Sequence, residues 1–400
     1  MGFLKFLTSG ESHGRALTGI IEGIPAGLAL SSADIDADLR RRQGGYGRGG
    51  RMKIETDHAE ILSGVRWGRT IGSPVCIMIE NRDWKNWSEG MSADAAHRGS
   101  IRPVTKPRPG HADLAGSLKY DHDDVRNILE RSSARETAMR VALGAIAKRF
   151  LAEFGVNVGS YVIQIGSERY AVTAKGTKGD EMRGARLLRF FSAAEKSEVR
   201  CPDPGASRKM MALIDRAMRD GNSLGGIFEV FITGLPVGLG SHIQWDRKLD
   251  GRLAQAIMGI QAIKGVEIGM GFEMGRRPGS EVMDEIFYEK SAPAGFYRKT
   301  NNAGGIEGGM TNGMPVIIRA AMKPIPTLKK SLRSVDIRTK EAFGAAYERS
   351  DTCAVPAAAV VAEAMASLII ADAVLEKFGG DSLKETKRNH ASYLKYVSRF

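Results

Sequence analysis

The sequence predicts an α+β fold, a single domain spanning residues 1–400 in which strands and helices mix without strict βαβ alternation. Three observations point there. Short apolar strand candidates at 3–7, 16–24, 227–233 and 315–321 alternate irregularly with helical patterns at 31–43, 126–154 and beyond Pro356. No linker rich in Pro, Gly or Ser divides the chain. Its 400 residues, 42% hydrophobic and 26% charged, can bury a large core without disulfide or metal staples.

In order, the apolar run Phe3 to Leu7 reads as a strand, followed by Gly10-Glu11-Ser12-His13-Gly14 and a second strand over residues 16–24. Residues 31–43 read as a helix with Ser31 or Ser32 as its N-cap. A glycine- and arginine-rich loop, QGGYGRGGR, comes next. Residues 126–154 carry one long helical pattern closed by Gly155, a natural residue just past a helix end. Residues 166–222 are polar and irregular, and read as a variable surface excursion rather than core. The last long helix begins after Pro356, a residue suited to a first helical turn, and ends near Gly379. Residues 381–400 form a mostly polar, peripheral tail.

Within the apolar stretch 357–378 stand Glu363, Asp372 and Glu376, which argues against a membrane span. The N-terminus reaches polar residues within a few positions, so no signal peptide is expected. Cys76, Cys201 and Cys353 stand far apart with no Cys-x-x-Cys pair, and no spacing resembles a metal site. This usage suits a reducing, cytoplasmic setting.

The net charge of +12 favours anionic partners: nucleic acid, an anionic membrane surface, or small phosphorylated or carboxylated ligands. The arginines are spread among glycine-rich segments rather than gathered in a basic run, which favours small anions over the other two. Aromatic residues interleaved with basic ones, helix-turn-helix patterns and zinc spacings are all missing, so nucleic acid is not the expected partner.

Two familiar patterns fail on context. Gly10–Gly14 satisfies G-x-S-x-G, but a nucleophile elbow needs an oxyanion loop from an earlier strand, and Ser12 lies too near the N-terminus for one. Gly45–Gly50 satisfies G-x-G-x-x-G, yet DLRRRQ precedes it and RMKIETD follows it, where a dinucleotide fold needs a strand and a helix.

The remaining pieces suit anion binding. Arg40, Arg41, Arg42, Arg48 and Arg51 surround glycines, so guanidinium forks and backbone N–H groups could converge on one ligand, or the charges could simply be solvated. His13 and His111 sit among Gly and small residues that let a ligand approach; each is either a general acid or base or a structural histidine. Residues 301–313 hold five glycines, fit for a turn or for backbone lying against a flat cofactor. Lys323 to Thr327 is a stiff KPIPT loop, and Arg349 with Asp351 is either a surface ion pair or an anion clamp beside a carboxylate.

Taken together, in order, these segments resemble chorismate synthases. The matching pieces include GESHG at 10–14, RRQGGYGRGGRMKIETD at 41–57, RPGHAD at 108–113 and RSSARETAMRVALGA at 131–145. They continue with QAIKGVEIG at 261–269, NNAGGIEGGMTNG at 301–313, KPIPTL at 323–328 and RSDTC at 349–353. The resemblance implies a β-α-β sandwich, a homotetramer, and a 1,4-anti elimination of phosphate from 5-enolpyruvylshikimate 3-phosphate. It implies reduced FMN without net redox change, with NADPH or an external flavin reductase as source of reducing equivalents. Flavin ligands would be Arg131, Ser132, Ser133, Gln261, Ala262, Gly308, Lys323, Pro324, Ile325, Pro326, Thr327 and Arg349. Arg42 and Arg48 would face NADPH or the substrate, and Ser12, Arg51, Arg108 and Arg135 the substrate. In this reading His13 donates a proton towards the leaving phosphate, His111 stabilises the reduced flavin's charge, and Asp351 assists removal of the ring proton. The rival enzyme reading is a phosphate-handling flavoprotein with net redox chemistry.

Overall fold

A computed structural model of the chain describes residues 3–49, 56–170, 184–290, 295–344 and 351–400. Two antiparallel sheets enclose a layer of helices, the β-α-β sandwich that the resemblance implies. The first sheet runs Lys5–Ser9, Ala16–Glu22, Val75–Glu80, Glu60–Ser63 across its width. Its inward face follows the strand period of two: Leu17 and Ile21 on one strand, Val75, Ile77 and Ile79 on the next, all fully buried. Between Leu17 and Ile21 lies Gly19, where a Cβ would come within 2.5 Å of the Met139 sulfur. Glycine lets the helix Thr137–Ala152 sit this close to the sheet without displacing the Met139 side chain.

The second sheet is ordered Ile263–Ile268, Val316–Met322, Gly226–Thr233, Asn157–Ile165, Glu168–Arg169. Strand Asn157–Ile165 is buried on both faces. One face meets the helix layer; on the other, Tyr161 and Ile163 join Phe231 and Ala194 under the helix Ala185–Ala194.

Helices Thr137–Ala152 and Val355–Phe378 form the middle layer, flanked by Ser32–Gln43 and Leu249–Met258. Gly144 makes the central crossing possible, since a Cβ there would lie 2.3 Å from the Ala364 Cβ. Val355–Phe378 is long and apolar enough to cross a membrane, yet 94% of its most apolar window is buried inside the protein. Its one fully buried acid, Glu363, is met by Arg41, Lys148 and Arg200 and by the Ser160 hydroxyl at 2.6 Å. Burial opposes ionisation, but these cations outweigh it and hold Glu363 far below the usual carboxylate range. The cluster ties the last turn of Ser32–Gln43 to the central helix.

Several boundaries move. The opening strand is Lys5–Ser9, because pairing with Ala16–Glu22 and not the apolar run decides its limits. Ser31 is the N-cap of the first helix, in a capping box with Asp34. The pattern at 126–154 is not one helix but Arg126–Ser132, a short 3-10 turn at Ala134–Glu136, and Thr137–Ala152. The break falls where Ser133 turns extended, at φ −62° and ψ 144°. Residues 166–222 are not surface alone: within their described part, Pro204–Arg219 buries Met210, Ile214 and Ala217, spaced to share one helix face. The tail is a helix, Leu383–Val397, that buries Leu383 and Thr386 and packs His390 and Tyr393 on Phe378, so it is docked and not merely peripheral.

Candidate active site

The break at Ser133 makes room for the site. Ser133 Oγ accepts the Arg135 backbone N–H at 3.3 Å and donates to Ser12 Oγ at 3.1 Å. Ser132 Oγ donates instead to its own helix, to the Ile128 carbonyl at 2.8 Å. Arg131 reaches across to the first hairpin, donating to the Gly10 carbonyl at 2.9 Å and the Thr8 carbonyl at 2.8 Å. The GESHG turn is thereby fastened onto the helix junction.

Arg42 and Arg135 are buried in the wall behind this turn. Arg42 donates to Thr137 Oγ1 at 3.0 Å and to the Ala134 carbonyl at 2.9 Å. Arg135 donates to Asn81 Oδ1 at 2.9 Å, and both arginines meet the buried carboxylate of Asp57. Burial lowers the Arg42 guanidinium to about 10, with Asp57 working against it and Arg135 and Arg48 with it. It remains charged at neutral pH.

Each candidate histidine is paired with a buried carboxylate. His13 Nδ1 lies 2.8 Å from Glu130 Oε1, and its backbone N–H donates to Glu130 Oε2 at 2.8 Å. The His13 ring packs on Trp87 at 4.3 Å between centroids, and Arg126 covers Trp87 at 4.9 Å. His111 Nδ1 lies 2.5 Å from Asp113 Oδ1, and Arg108 donates to the same carboxylate at 2.9 Å. Burial would raise Asp113, but His111 and Arg108 together hold it far below the ordinary carboxylate range.

The loop bearing His111 touches the KPIPT loop: Lys323 Nζ donates to the Gly110 carbonyl at 2.8 Å. Burial and the nearby Lys264 both lower the Lys323 ammonium, a pair of positive groups that an anion would relieve. The Lys323 backbone N–H donates to the carbonyl of Ala262 at 2.9 Å, and Ala262 sits in the left-handed region at φ +66°. A non-glycine residue held there is a strained feature of the kind concentrated at ligand sites. Gln261 gives Nε2 to Glu136 at 3.1 Å, while its buried Oε1 has no hydrogen-bond partner among the described residues. Ser223 Oγ donates to the Ile325 carbonyl at 2.7 Å, holding the loop from behind.

Asp351 accepts the Gly49 backbone N–H at 2.6 Å and pairs with Arg48 at 3.0 Å. Arg48 borders a cavity of about 480 Å³ lined also by Gln43, Gly45, Tyr46, Gly49 and Glu198. Among the described residues the buried Arg48 Nε has no hydrogen-bond partner. Next to Asp351, burial pushes the Cys353 thiol up to about 11, so it is a protonated space-filler and not a nucleophile.

Gly308 is the exception to this clustering. It sits at the tip of the hairpin Ile306–Thr311, beside His242, beyond the Val316 end of its strand. Lys323 follows the opposite end, seven residues away, which is roughly 20 Å at strand spacing. Arg51 and Arg349 lie outside the described residues.

Reading the sequence missed Glu130, Asp113, Asp57, Asn81 and Trp87, the partners that orient the named residues. Asp113 was within reach, standing two positions after His111 in RPGHAD. Glu130 is 117 positions from His13, and no local pattern announces that pairing.

The profile of a family described as chorismate synthase matches residues 4–375. The chain is 61% identical over 402 residues to the chorismate synthase of Geobacter sulfurreducens, covering 99% of this chain and 100% of that protein. It is 56% identical over 398 residues to the chorismate synthase of Aquifex aeolicus, covering 100% and 99%. A crystal structure of a chorismate synthase superposes with a TM-score of 0.79 at 46% identity, covering 99% of each chain.

Proposed function

Because this chain belongs to the chorismate synthase family, lyases of the shikimate pathway, we propose that its clustered loops hold 5-enolpyruvylshikimate 3-phosphate beside reduced FMN. The observation that carries the reading is convergence. Segments 10–14, 108–113, 131–137, 261–262, 323–327 and 351–353 are far apart in sequence, yet successive contacts link them at one end of the sandwich.

The donor set fits a flavin phosphate and ring. Lys323 with Lys264 offers positive charge, Arg131 a partly exposed guanidinium, and Gln261 Oε1 a buried acceptor awaiting an N–H donor. When bound, reduced FMN would supply an electron-rich ring that shares the charge developing as phosphate leaves. NADPH would serve as its reductant, or an external flavin reductase would deliver it reduced.

The chain's own groups do the rest. The buried Nε of Arg48, in its glycine-lined cavity, is a donor suited to an oxygen of the substrate or of NADPH. His13 gives a proton to the departing phosphate oxygen. His111, held with Arg108 on Asp113, presents a donor to anionic charge in the site. Asp351, steadied by Gly49 N–H and Arg48, is the carboxylate for the proton lost from the substrate ring. Arg42 and Arg135 act from the wall, by fixing Asp57 and the helix junction. The reading treats the chain as one domain, working as a homotetramer in the cytoplasm.

The test is anaerobic phosphate release from 5-enolpyruvylshikimate 3-phosphate, with and without pre-reduced FMN. Release only with reduced flavin, and with no net consumption of reductant per phosphate, is expected. Full turnover with oxidised flavin in air, or stoichiometric oxidation of NADPH, would favour the redox flavoprotein instead.

A further inference from the structure

Glu130 fastens the Ser12–His13 turn at three points. The Glu130 backbone carbonyl accepts the Ser12 N–H at 3.1 Å, its Oε2 accepts the His13 N–H at 2.8 Å, and its Oε1 faces His13 Nδ1 at 2.8 Å. Glu130 is 1% exposed, in the helix Arg126–Ser132. Arg126, one turn earlier on that helix, approaches the same carboxylate at 3.4 Å and covers Trp87, on which the His13 ring lies.

A buried carboxylate against a ring nitrogen does more than hold the ring. An ionised carboxylate only accepts hydrogen bonds, so the nitrogen facing it must carry a proton. Burial pulls the Glu130 carboxyl up, but the His13 hydrogen bond and charge, the His13 N–H and Arg126 outweigh it and hold the group below its usual value. The proton on Nδ1 is therefore fixed, and any proton that His13 exchanges with a ligand must pass through Nε2.

We propose that Glu130 is a positioning residue that sets the tautomer of His13, keeping hydrogen on Nδ1 so that Nε2 is the nitrogen that gives up the proton. This rests on the reading of His13 as proton donor to the leaving phosphate. In that step the Nε2–H bond breaks and an O–H bond forms on the departing phosphate. Its electron pair stays on Nε2, and the imidazolium becomes the neutral Nδ1–H ring, still bonded to Glu130. The surrounding groups favour this product, because the Nδ1–H form keeps its carboxylate partner and the Nε2–H form would lose it.

A merely structural Glu130 would also fasten the turn, so the test reads the ring itself. Magic-angle-spinning ¹⁵N NMR of histidine-labelled protein, without substrate or flavin, distinguishes protonated from bare ring nitrogens; the His13→Gln variant identifies the His13 signals. Over a pH series ending with one proton on the ring, wild-type His13 is expected to carry it on Nδ1. In Glu130→Gln, whose amide can donate as well as accept, the Nε2–H form should appear. Turnover of Glu130→Gln should fall by about 10–100-fold or more, the scale for loss of a carboxylate that orients a histidine, with KM for the phosphorylated substrate little changed. Wild-type His13 found with its single proton on Nε2 would overturn the proposal whether or not Glu130→Gln folds. So would a tautomer unmoved by Glu130→Gln, or an unchanged kcat in that variant once its tautomer has shifted. Full activity of His13→Gln would instead remove His13 from the chemistry and leave the tautomer result standing.

Discussion

His13 and His111 are held in the same manner by different means. His111 is set by its own loop: Asp113 is two residues on, Arg108 three residues back, and all three lie within RPGHAD. His13 is set from across the fold, by a glutamate 117 positions away on another element. The first arrangement travels with a short segment and needs only that the loop be seated. The second exists only when the first hairpin and the helix Arg126–Ser132 have docked. The proposed site thus joins a locally encoded Arg108–His111–Asp113 cluster to a histidine whose setting depends on tertiary assembly.

The largest expected effects come from removing the rings. His13→Ala and His111→Ala should each lower turnover by about 10²–10⁴-fold, the usual cost of a positioned acid or base, while circular dichroism stays native. Equal loss in both would show the two anchoring routes to be catalytically equivalent, whereas a full-rate variant would return that histidine to a structural role.

A third buried carboxylate sharpens the contrast, because Glu363 has cations but no histidine. Glu363→Gln should cost up to about 3–5 kcal/mol of stability, measured by urea denaturation at neutral pH. Among the described residues Asp38 and Glu195 alone then face Arg41, Lys148 and Arg200, and a buried positive charge is left uncompensated. The ionised form of Glu363 is favoured by folding, so the contribution is fully present above the unfolded glutamate value and fades as pH falls through the lowered folded value. The variant should therefore show a flatter acid limb of stability against pH. An unchanged limb would place the acid-sensitive group elsewhere.

Next in size, Arg48→Ala should weaken substrate binding by about 1.5–3 kcal/mol, the worth of a hydrogen bond to a charged group. Equilibrium binding by calorimetry checks this, and an unaltered dissociation constant would leave Arg48 only as the partner of Asp351. The smallest effect is set for His242, which lies by the Gly308 hairpin away from the cluster. His242→Ala should leave kcat and KM close to wild type, and a large loss would bring that hairpin into the reaction.

The same local-against-distant distinction governs what could be read in the chain. The apolar alternation of Ala16–Glu22, the capping serine at 31 and Pro356 at the start of the last long helix are local signals, and they mark those elements within a residue or two. The motif segments marked His13 and His111 by the glycines and small residues beside them, Lys323 by its flanking prolines and Asp351 by Arg349. The split of 126–154 was not legible, because helical periodicity continues through Ser132–Ala134 and the break is stabilised by Ser12, which lies far off in sequence. Met210 and Ile214 stand at helical spacing in the apolar run 210–214, a local signal outweighed by the polar character of 166–222 as a whole. Glu130 and Asp57 act only through partners brought up by folding, which leaves no trace in spacing.

The most direct measurement is single-turnover phosphate release under anaerobic conditions, with pre-reduced FMN and enzyme in excess, comparing wild type with the His13→Ala and His111→Ala variants. Excess enzyme isolates the chemical step from product release. Phosphate should appear in one rapid phase from the wild type, and about 10²–10⁴-fold more slowly from both variants while flavin binding is retained. Wild-type single-turnover rates in the two histidine variants would contradict the account, leaving the family assignment intact and the roles of both residues wrong.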